Sequence, residues 1–253
     1  EFVQLGSISA ADGKRLADAR AALVSAAHCD PAEQCTYYAI LVADGDGVGA
    51  ILADCTTAEA YRDVSRRLAA FTKGCGADVI DEDGELVYAG GDDVLALVPP
   101  HRAHELAGRL AARFVQAFAG HSASPTLSVG VAIVHHVEPL ATSLAHARAA
   151  EGIAKRPESP LEPERSRNGL AIALHKRSGA PVVTRGRGDD VASGPFDQVT
   201  RINELVGHIA AGRVPHGLAY ELHSLAASDP FTARTASSRQ WDSVVAADLS
   251  RVI

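Results

Sequence analysis

Apolar and polar positions alternate from residue 37 onward in a pattern that predicts short strands separated by amphipathic helices. The run 37–43 is apolar throughout, which is typical of a central strand covered on both faces. Two stretches then repeat apolar residues at helical spacing. The first opens on a capping box at Thr56-Thr57-Ala58-Glu59 and ends at Gly74, and the second covers 101–118.

Shorter apolar runs predict the remaining strands, at 79–80, 86–88, 94–98, 127–134 and 170–174. A further helix is predicted at 139–155, and the polar segments 156–168 and 179–194 are predicted to be loops. The order strand, helix, strand, strand, helix, strand is that of a ferredoxin-like βαββαβ palm, with one helix and one strand added. We therefore predict an α+β fold with a mainly antiparallel sheet that carries its helices on one face.

The pattern divides the chain into an N-terminal helical or linker segment at 1–36, the palm at 37–178 and a small all-helical domain at 179–253. The first part contains a predicted helix at 11–27. The last part contains predicted helices at 196–211, 217–227 and 240–253. The candidate chemistry lies in the palm.

Two acidic, glycine-rich segments follow predicted strands, at 44–49 and 90–93. The second is a hairpin turn, and its two adjacent carboxylates repel one another. In the predicted strand order, Asp44 would lie beside Asp92 and Asp93. Carboxylate oxygens in this arrangement suit Mg²⁺ (or Mn²⁺), which commonly takes one or two carboxylates together with substrate phosphates. The glycines would let backbone N–H groups approach those phosphates.

Other interpretations of these turns are open. Asp-Gly segments are common in surface loops. A calcium loop at 44–55 is disfavoured, because Val48 and Cys55 stand where that loop needs oxygen ligands. The next helix is predicted to begin only at about Thr56. Its N-terminus would be too far downstream for the helix dipole to help bind a phosphate at the turn 44–49. A second Gly-Asp-Asp at 188–190 lacks a following apolar strand and is predicted to be a solvated loop.

The composition indicates which kinds of partner the chain can bind and in which cell compartment it is expected. The net charge of -7 gives no general reason to bind nucleic acid, so a nucleotide site must be local. The four cysteines form no CxxC pair, which argues against a closed zinc site. Without a membrane-length apolar run, a reduced cytoplasmic location is predicted. The chain begins with Glu1 and contains no methionine, which suggests a piece of a longer protein.

Four stretches together resemble the polymerase/cyclase palm of the large subunit of type III CRISPR effector complexes. They are ILVADGDGVG (40–49), YAGGDDVLALVP (88–99), SVGVAIVHH (128–136) and LAIALHKRSG (170–179). The last is most similar to the Cmr-type (III-B) branch. The resemblance identifies the chain as a C-terminal fragment that carries the second palm, with half of a site that normally lies between two palms.

The resemblance implies ATP-dependent synthesis of cyclic oligoadenylate messengers when the complex holds target RNA, with Mg²⁺ (or Mn²⁺) as cofactor. It implies that Asp44, Asp92 and Asp93 are catalytic and bind the metal. The implied nucleotide-binding residues are Gly45, Asp46, Gly47, Val48, Gly90, Gly91, Ser128 and Lys155. The implied partners are the rest of the subunit (first palm and HD domain), other effector subunits, and guide and target RNA, with no membrane.

Two other functions and a simpler role for Lys155 are open. A diguanylate or other nucleotide cyclase is disfavoured, because Asp93 and Val94 stand where diguanylate enzymes carry Glu and Phe. A non-catalytic palm that only binds ATP is a further hypothesis. Lys155 could simply be a cation at a helix C-terminus. The pair His135-His136 is predicted to have a structural or supporting role and not to ligate a metal, since adjacent strand residues face opposite sides and cannot easily bind one ion.

Overall fold

The computed structural model describes residues 36–157, 167–188 and 197–214. In chain order the strands are β1 (Tyr37–Asp46), β2 (Glu85–Gly90), β3 (Asp93–Val98), β4 (Thr126–His135), β5 (Gly169–Leu174) and β6 (Val182–Arg187). The helices are α1 (Val48–Ala53), α2 (Ala58–Asp81), α3 (Ala103–Ala117), α4 (Leu140–Ala154) and α5 (Asp197–Ala210). The helices predicted at 11–27, 217–227 and 240–253 lie outside the described residues.

The six strands form one sheet in the order β2-β3-β1-β4-β5-β6. Neighbouring strands are antiparallel except β4 and β5, which are parallel. The order of the first four strands, β2-β3-β1-β4, is that of a ferredoxin-like palm. The predicted α+β palm fold is therefore confirmed, as is the prediction that β1 and β3 are neighbours.

Helices cover both faces of the sheet, so the prediction of a single covered face is wrong. On one face Phe114 of α3 packs against Phe71 of α2, with ring centroids 4.9 Å apart, and lies against Gly45 of β1. On the other face α4 lies against Gly130 of β4, close enough that an added Cβ would be 2.0 Å from the Glu151 nitrogen. Parallel strands need a crossover connection, and α4 is the crossover between β4 and β5.

Helix α2 continues past Gly74 to Asp81, so the short strand predicted at 79–80 is wrong. Gly74 does not end the helix. It lies against the Arg113 side chain of α3, since a Cβ there would be 2.0 Å from a guanidinium nitrogen. Both carboxylate oxygens of Asp78 hold that guanidinium, with Nη2 2.7 Å from Oδ1. This ion pair joins α2 to α3 beside the closely packed glycine.

Gly74→Ala is expected to lower the free energy of unfolding by about 1–3 kcal/mol, although alanine favours helices over glycine. The new methyl group would push Arg113 away from Asp78. Gly76→Ala is the matched control, because its Cβ would meet only Leu86 Cδ2 at 3.8 Å. This control should stabilise the protein by roughly 0.5–1 kcal/mol. Urea denaturation measures both, and equal stabilisation by the two substitutions would contradict the steric argument.

Three predictions at the ends of elements are corrected. Helix α1 begins at Val48, directly after β1, whereas the next helix was expected from about Thr56. Helix α2 is capped by Thr57, whose Oγ1 accepts a hydrogen bond from the Ala60 nitrogen at 3.2 Å, so the predicted box opened by Thr56 does not form the cap. Strand β6 lies within the predicted loop 179–194, because its backbone pairs with β5.

The two adjacent histidines at the end of β4 stack on each other. The ring centroids of His135 and His136 are 4.6 Å apart with an interplanar angle of 27°. The expectation that they face opposite sides is wrong because β4 ends at His135, and strand alternation ends with it. Loss of solvent, followed by the charge of His136, lowers the pKa of His135.

Helix α5 confirms the helix predicted at 196–211 and falls almost wholly in a second compact unit that begins at Gln198. None of the helices in the described ranges has the length and apolar character that a membrane span requires. Of the second Gly-Asp-Asp, only Gly188 is described, so its predicted loop stays a prediction.

Candidate active site

The two acidic segments meet where β1 ends and β3 begins. Strand β1 extends through Asp46, so Asp44 lies within the strand and not in a turn. The register of β1 with β3 places Asp44 next to Asp93, the first residue of β3. The hairpin before β3 turns at Gly91, whose φ of +64° is a conformation that glycine adopts without strain.

Three carboxylates interact at this point. Burial raises the pKa of Asp92, and the charge of Asp44 raises it further. Burial also raises the pKa of Asp93, with added contributions from the charges of Asp44 and Asp92. The structure therefore brings together the three aspartates that the sequence analysis singled out, as a mutually repelling group.

The glycines of the two segments mainly permit close packing and tight turns. A Cβ at Gly45 would lie 2.6 Å from the Asp92 Cβ, so glycine lets the hairpin approach β1. Gly47 is the N-cap of α1 with a φ of +83°, and the Val48 side chain that follows is buried. A Cβ at Gly90 would lie 2.2 Å from the Tyr88 hydroxyl. Nucleotide binding by backbone N–H groups at these positions stays a prediction.

Lys155 supplies the positive charge of the site. Its ammonium nitrogen lies 2.6 Å from Asp44 Oδ2 and also contacts Glu151 Oε1. Burial alone would lower the pKa of Lys155, but hydrogen bonds to Asp44 and Glu151 outweigh it and raise that pKa. Lys155 thus belongs to the acidic cluster and is more than a cation at the end of α4. Sequence reasoning missed Glu151, although its i,i+4 spacing to Lys155 was a usable signal.

The side chains of Asp46 and Ser128 are buried and hydrogen-bonded to each other, whereas both residues were predicted to bind the nucleotide. Asp46 is 4% exposed and Ser128 is fully buried. Asp46 Oδ2 accepts hydrogen bonds from Ser128 Oγ at 2.8 Å, Thr126 Oγ1 at 2.9 Å and the Asn168 nitrogen at 2.9 Å. A buried carboxylate needs such donors, so Asp46 joins the ends of β1, β4 and β5 beneath the cluster.

Asp46→Asn is expected to lower the free energy of unfolding by about 1–3 kcal/mol. A neutral amide oxygen accepts hydrogen bonds more weakly than a carboxylate, and the amide NH₂ would replace Oδ1, which lies 3.0 Å from Ser128 Oγ. Chemical denaturation measures the loss. Asp54→Asn is the control, since Asp54 is exposed at the end of α1, and it should change stability by less than about 0.5 kcal/mol. Equal stabilities for the two variants would contradict the structural role of Asp46.

The carboxylate oxygens of this cluster are of the type that suits a magnesium ion. Among the residues that the structure describes, no three His, Cys, Asp or Glu side chains are arranged to hold a metal ion on their own. Mg²⁺ commonly takes only one or two carboxylates and completes its shell with water and phosphate oxygens. Asp92 and Asp93 repel each other and Asp44, and a cation would relieve that repulsion.

Comparison with known proteins shows which family this palm resembles. Residues 37–162 match the family model of the second palm domain of Cas10/Cmr2. The chain is 33% identical over 171 residues to the CRISPR system Cmr subunit Cmr2 of Pyrococcus furiosus, and the alignment covers 57% of this chain and 19% of Cmr2. The chain thus spans about a fifth of the length of this curated relative.

Solved structures show the same fold. A Csm1-Csm4 cassette in complex with cA4 aligns with a TM-score of 0.54 at 21% identity, covering 78% of this chain and 30% of that chain. The cassette in complex with AMPPNP aligns with a TM-score of 0.52 at 20% identity and the same coverage. This likeness is one of fold. The family match shows that the chain belongs to the Cas10/Cmr2 family, through a second palm domain at residues 37–162.

Proposed function

We propose that this palm binds ATP with Mg²⁺ (or Mn²⁺) and takes part in nucleotidyl transfer that builds cyclic oligoadenylates. The reaction would take place in a type III CRISPR effector that holds target RNA. The observation that carries the proposal is the cluster of Asp44, Asp92 and Asp93 at two neighbouring strands, with the Lys155 ammonium 2.6 Å from Asp44. Clustered carboxylates with one lysine suit a substrate that combines phosphates with a divalent cation.

The chemistry balances as a phosphoryl substitution. The 3′-oxygen of one nucleotide forms a bond to the α-phosphorus of the next, and the bond from that phosphorus to the bridging oxygen breaks. Pyrophosphate leaves with the electron pair, and the hydroxyl proton passes to solvent. The cluster of Asp44, Asp92 and Asp93 would supply one or two carboxylate ligands to Mg²⁺, and the bound ion would make the hydroxyl more acidic and the phosphate more electrophilic.

The side chains of this chain contribute position and charge. Asp44, Asp92 and Asp93 would set the place of the cation where the neighbouring strands β1 and β3 meet, and the cation would in turn orient the α-phosphate. The Lys155 charge next to Asp44 would offset part of the triphosphate charge. Asp46 holds the ends of three strands beneath them.

The proposal includes a second binding surface for the attacking nucleotide, supplied by another palm. This chain corresponds to 19% of Cmr2 and 30% of the Csm1 chain, so both relatives carry a large additional part. We propose a first palm and HD domain, other effector subunits, and guide and target RNA as partners. The chain alone should then bind ATP and turn it over poorly.

Product identification tests the proposal. The protein is isolated with the subunits that copurify, supplied with target RNA and labelled ATP or GTP, and its products are identified by mass spectrometry with Mg²⁺, with Mn²⁺ and with chelator. Adenylate oligomers that require the metal and the RNA are expected. Guanylate dimers would point to a diguanylate cyclase, and ATP binding without turnover would point to a scaffold. Strong turnover by the isolated chain would contradict the shared site.

A further inference from the structure

The C-terminus of α4 is held from outside the helix. The last carbonyls of a helix have no donor within it, yet the carbonyls of three consecutive residues here accept external hydrogen bonds. Arg185 Nη2 lies 3.3 Å from the Ala154 oxygen and also contacts the Arg156 oxygen. The Arg167 nitrogen donates to the Lys155 oxygen at 3.0 Å.

Arg185 reaches α4 from β6, the last strand in the sheet order. It lies on β6 opposite Ala171 of β5, and Ala171 in turn pairs with Gly130, the residue on which α4 packs. A guanidinium suits this place, because a planar cation with several donors can bond two carbonyls and also complements the negative end of the helix dipole.

The backbone around Lys155 is closely packed as well. A Cβ at Gly169 would lie 2.2 Å from the Ala154 oxygen, so β5 runs directly beside the end of α4. Arg167 and Asn168 both have positive φ, of +72° and +46°, a conformation that costs energy in residues with side chains. Their nitrogens bond to Lys155 O and Asp46 Oδ2, which fixes that turn against the site.

We propose that Arg185 is a positioning residue that holds the end of α4 so that the Lys155 ammonium stays against Asp44. The inference deepens the proposed function of this site and rests on it for its catalytic consequence. A lysine side chain is flexible, so its backbone must be fixed before its charge can be placed with precision. Arg185 contacts the two carbonyls on either side of Lys155, so it acts on the backbone that carries this side chain.

Amine footprinting tests the geometric part without any turnover. The protein with its copurifying subunits is acylated for short times, and modification of Lys155 is compared with that of the exposed Lys73 and Lys176 in the same molecules. Arg185→Met is expected to raise the relative rate at Lys155 about fivefold, the size expected for loss of a partly exposed ion pair. Arg185→Lys should restore part of the protection.

The matched control is Arg148→Met, an arginine on the exposed side of the same helix. It should leave the Lys155 rate unchanged. Thermal midpoints are recorded for all variants; if Arg185→Met does not fold, Arg185→Lys carries the comparison through a smaller rise at Lys155. An unchanged Lys155 rate in a folded Arg185 variant would overturn the proposal.

Kinetics test the catalytic consequence. Arg185→Met and Lys155→Met should change the same parameter, kcat or KM for the nucleotide, with Arg185→Met giving roughly a tenfold loss in kcat/KM. In the Lys155→Met background the Arg185 substitution should add nothing, because the two act through one group. Additive losses would mean a merely structural role for Arg185. If the unaltered protein shows no turnover, the proposed function fails, and the footprint alone decides the positioning of Lys155.

Discussion

Gly130→Ala is expected to lower the free energy of unfolding by about 3 kcal/mol, one of the largest effects of any single methyl group in the palm. The added Cβ would lie 2.0 Å from the Glu151 nitrogen, 2.5 Å from its Cα and 2.7 Å from the Ala147 oxygen. All three are backbone atoms of α4, so only a shift of the whole helix could relieve the contact. That shift would also move Lys155 away from Asp44.

Gly152→Ala is the matched control for this substitution. Gly152 lies in the same helix, but nothing stands within 4 Å of the place its Cβ would take. Alanine should therefore stabilise the helix by roughly 0.5–1 kcal/mol. Chemical denaturation of the two variants gives the difference, and a Gly130→Ala protein as stable as Gly152→Ala would show that α4 does not pack as described.

Asp92→Asn/Asp93→Asn is expected to reduce nucleotidyl transfer by at least about 100-fold in the assembled protein, because two of the proposed metal ligands lose their charge. The fold should not suffer. The three aspartates repel one another, so in metal-free buffer at neutral pH the thermal midpoint should be unchanged or higher. Loss of turnover without loss of stability separates a role in the site from a role in folding.

Asp189→Asn/Asp190→Asn is the control for the double substitution, because it changes the second Gly-Asp-Asp of the chain by the same chemistry. It should leave turnover unchanged. Turnover is measured as pyrophosphate release at saturating ATP. Full activity of Asp92→Asn/Asp93→Asn would contradict the assignment, and an equal loss in both double variants would mean that the motif at 90–93 has no special part.

The fold was predictable where periodicity is strong and local. β1, the β2–β3 hairpin, α3, β4 and α4 each carry a clear apolar pattern. The end of α2 was not predictable, since glycine often marks the end of a helix, whereas α2 continues past Gly74 to Asp81. At Gly74 the helix lies against Arg113, a contact between distant parts of the sequence. β6 has a weak pattern of its own and depends on pairing with β5, which is a property of the tertiary structure.

For the candidate site, the sequence predicts which residues come together. It predicts the orientation of the individual side chains less well. Strand order alone brings Asp44 to the hairpin aspartates, and the resemblance brings in Lys155. The burial of Asp46 and Ser128 depends on the pairing of β1 with β4, which puts the two side chains within hydrogen-bonding distance. The sequence does not specify the register of that pairing, so it does not predict which side chain of β4 lies beside Asp46.

The position of a bound cation tests the central claim most directly. Crystals of the assembled protein with Mn²⁺ and a non-hydrolysable ATP analogue would give the metal position by anomalous scattering. We predict a peak within about 2.5 Å of carboxylate oxygens of Asp44, Asp92 or Asp93, with a phosphate oxygen in the same coordination shell. A nucleotide and metal bound elsewhere, with Lys155 still paired to Asp44, would contradict the account.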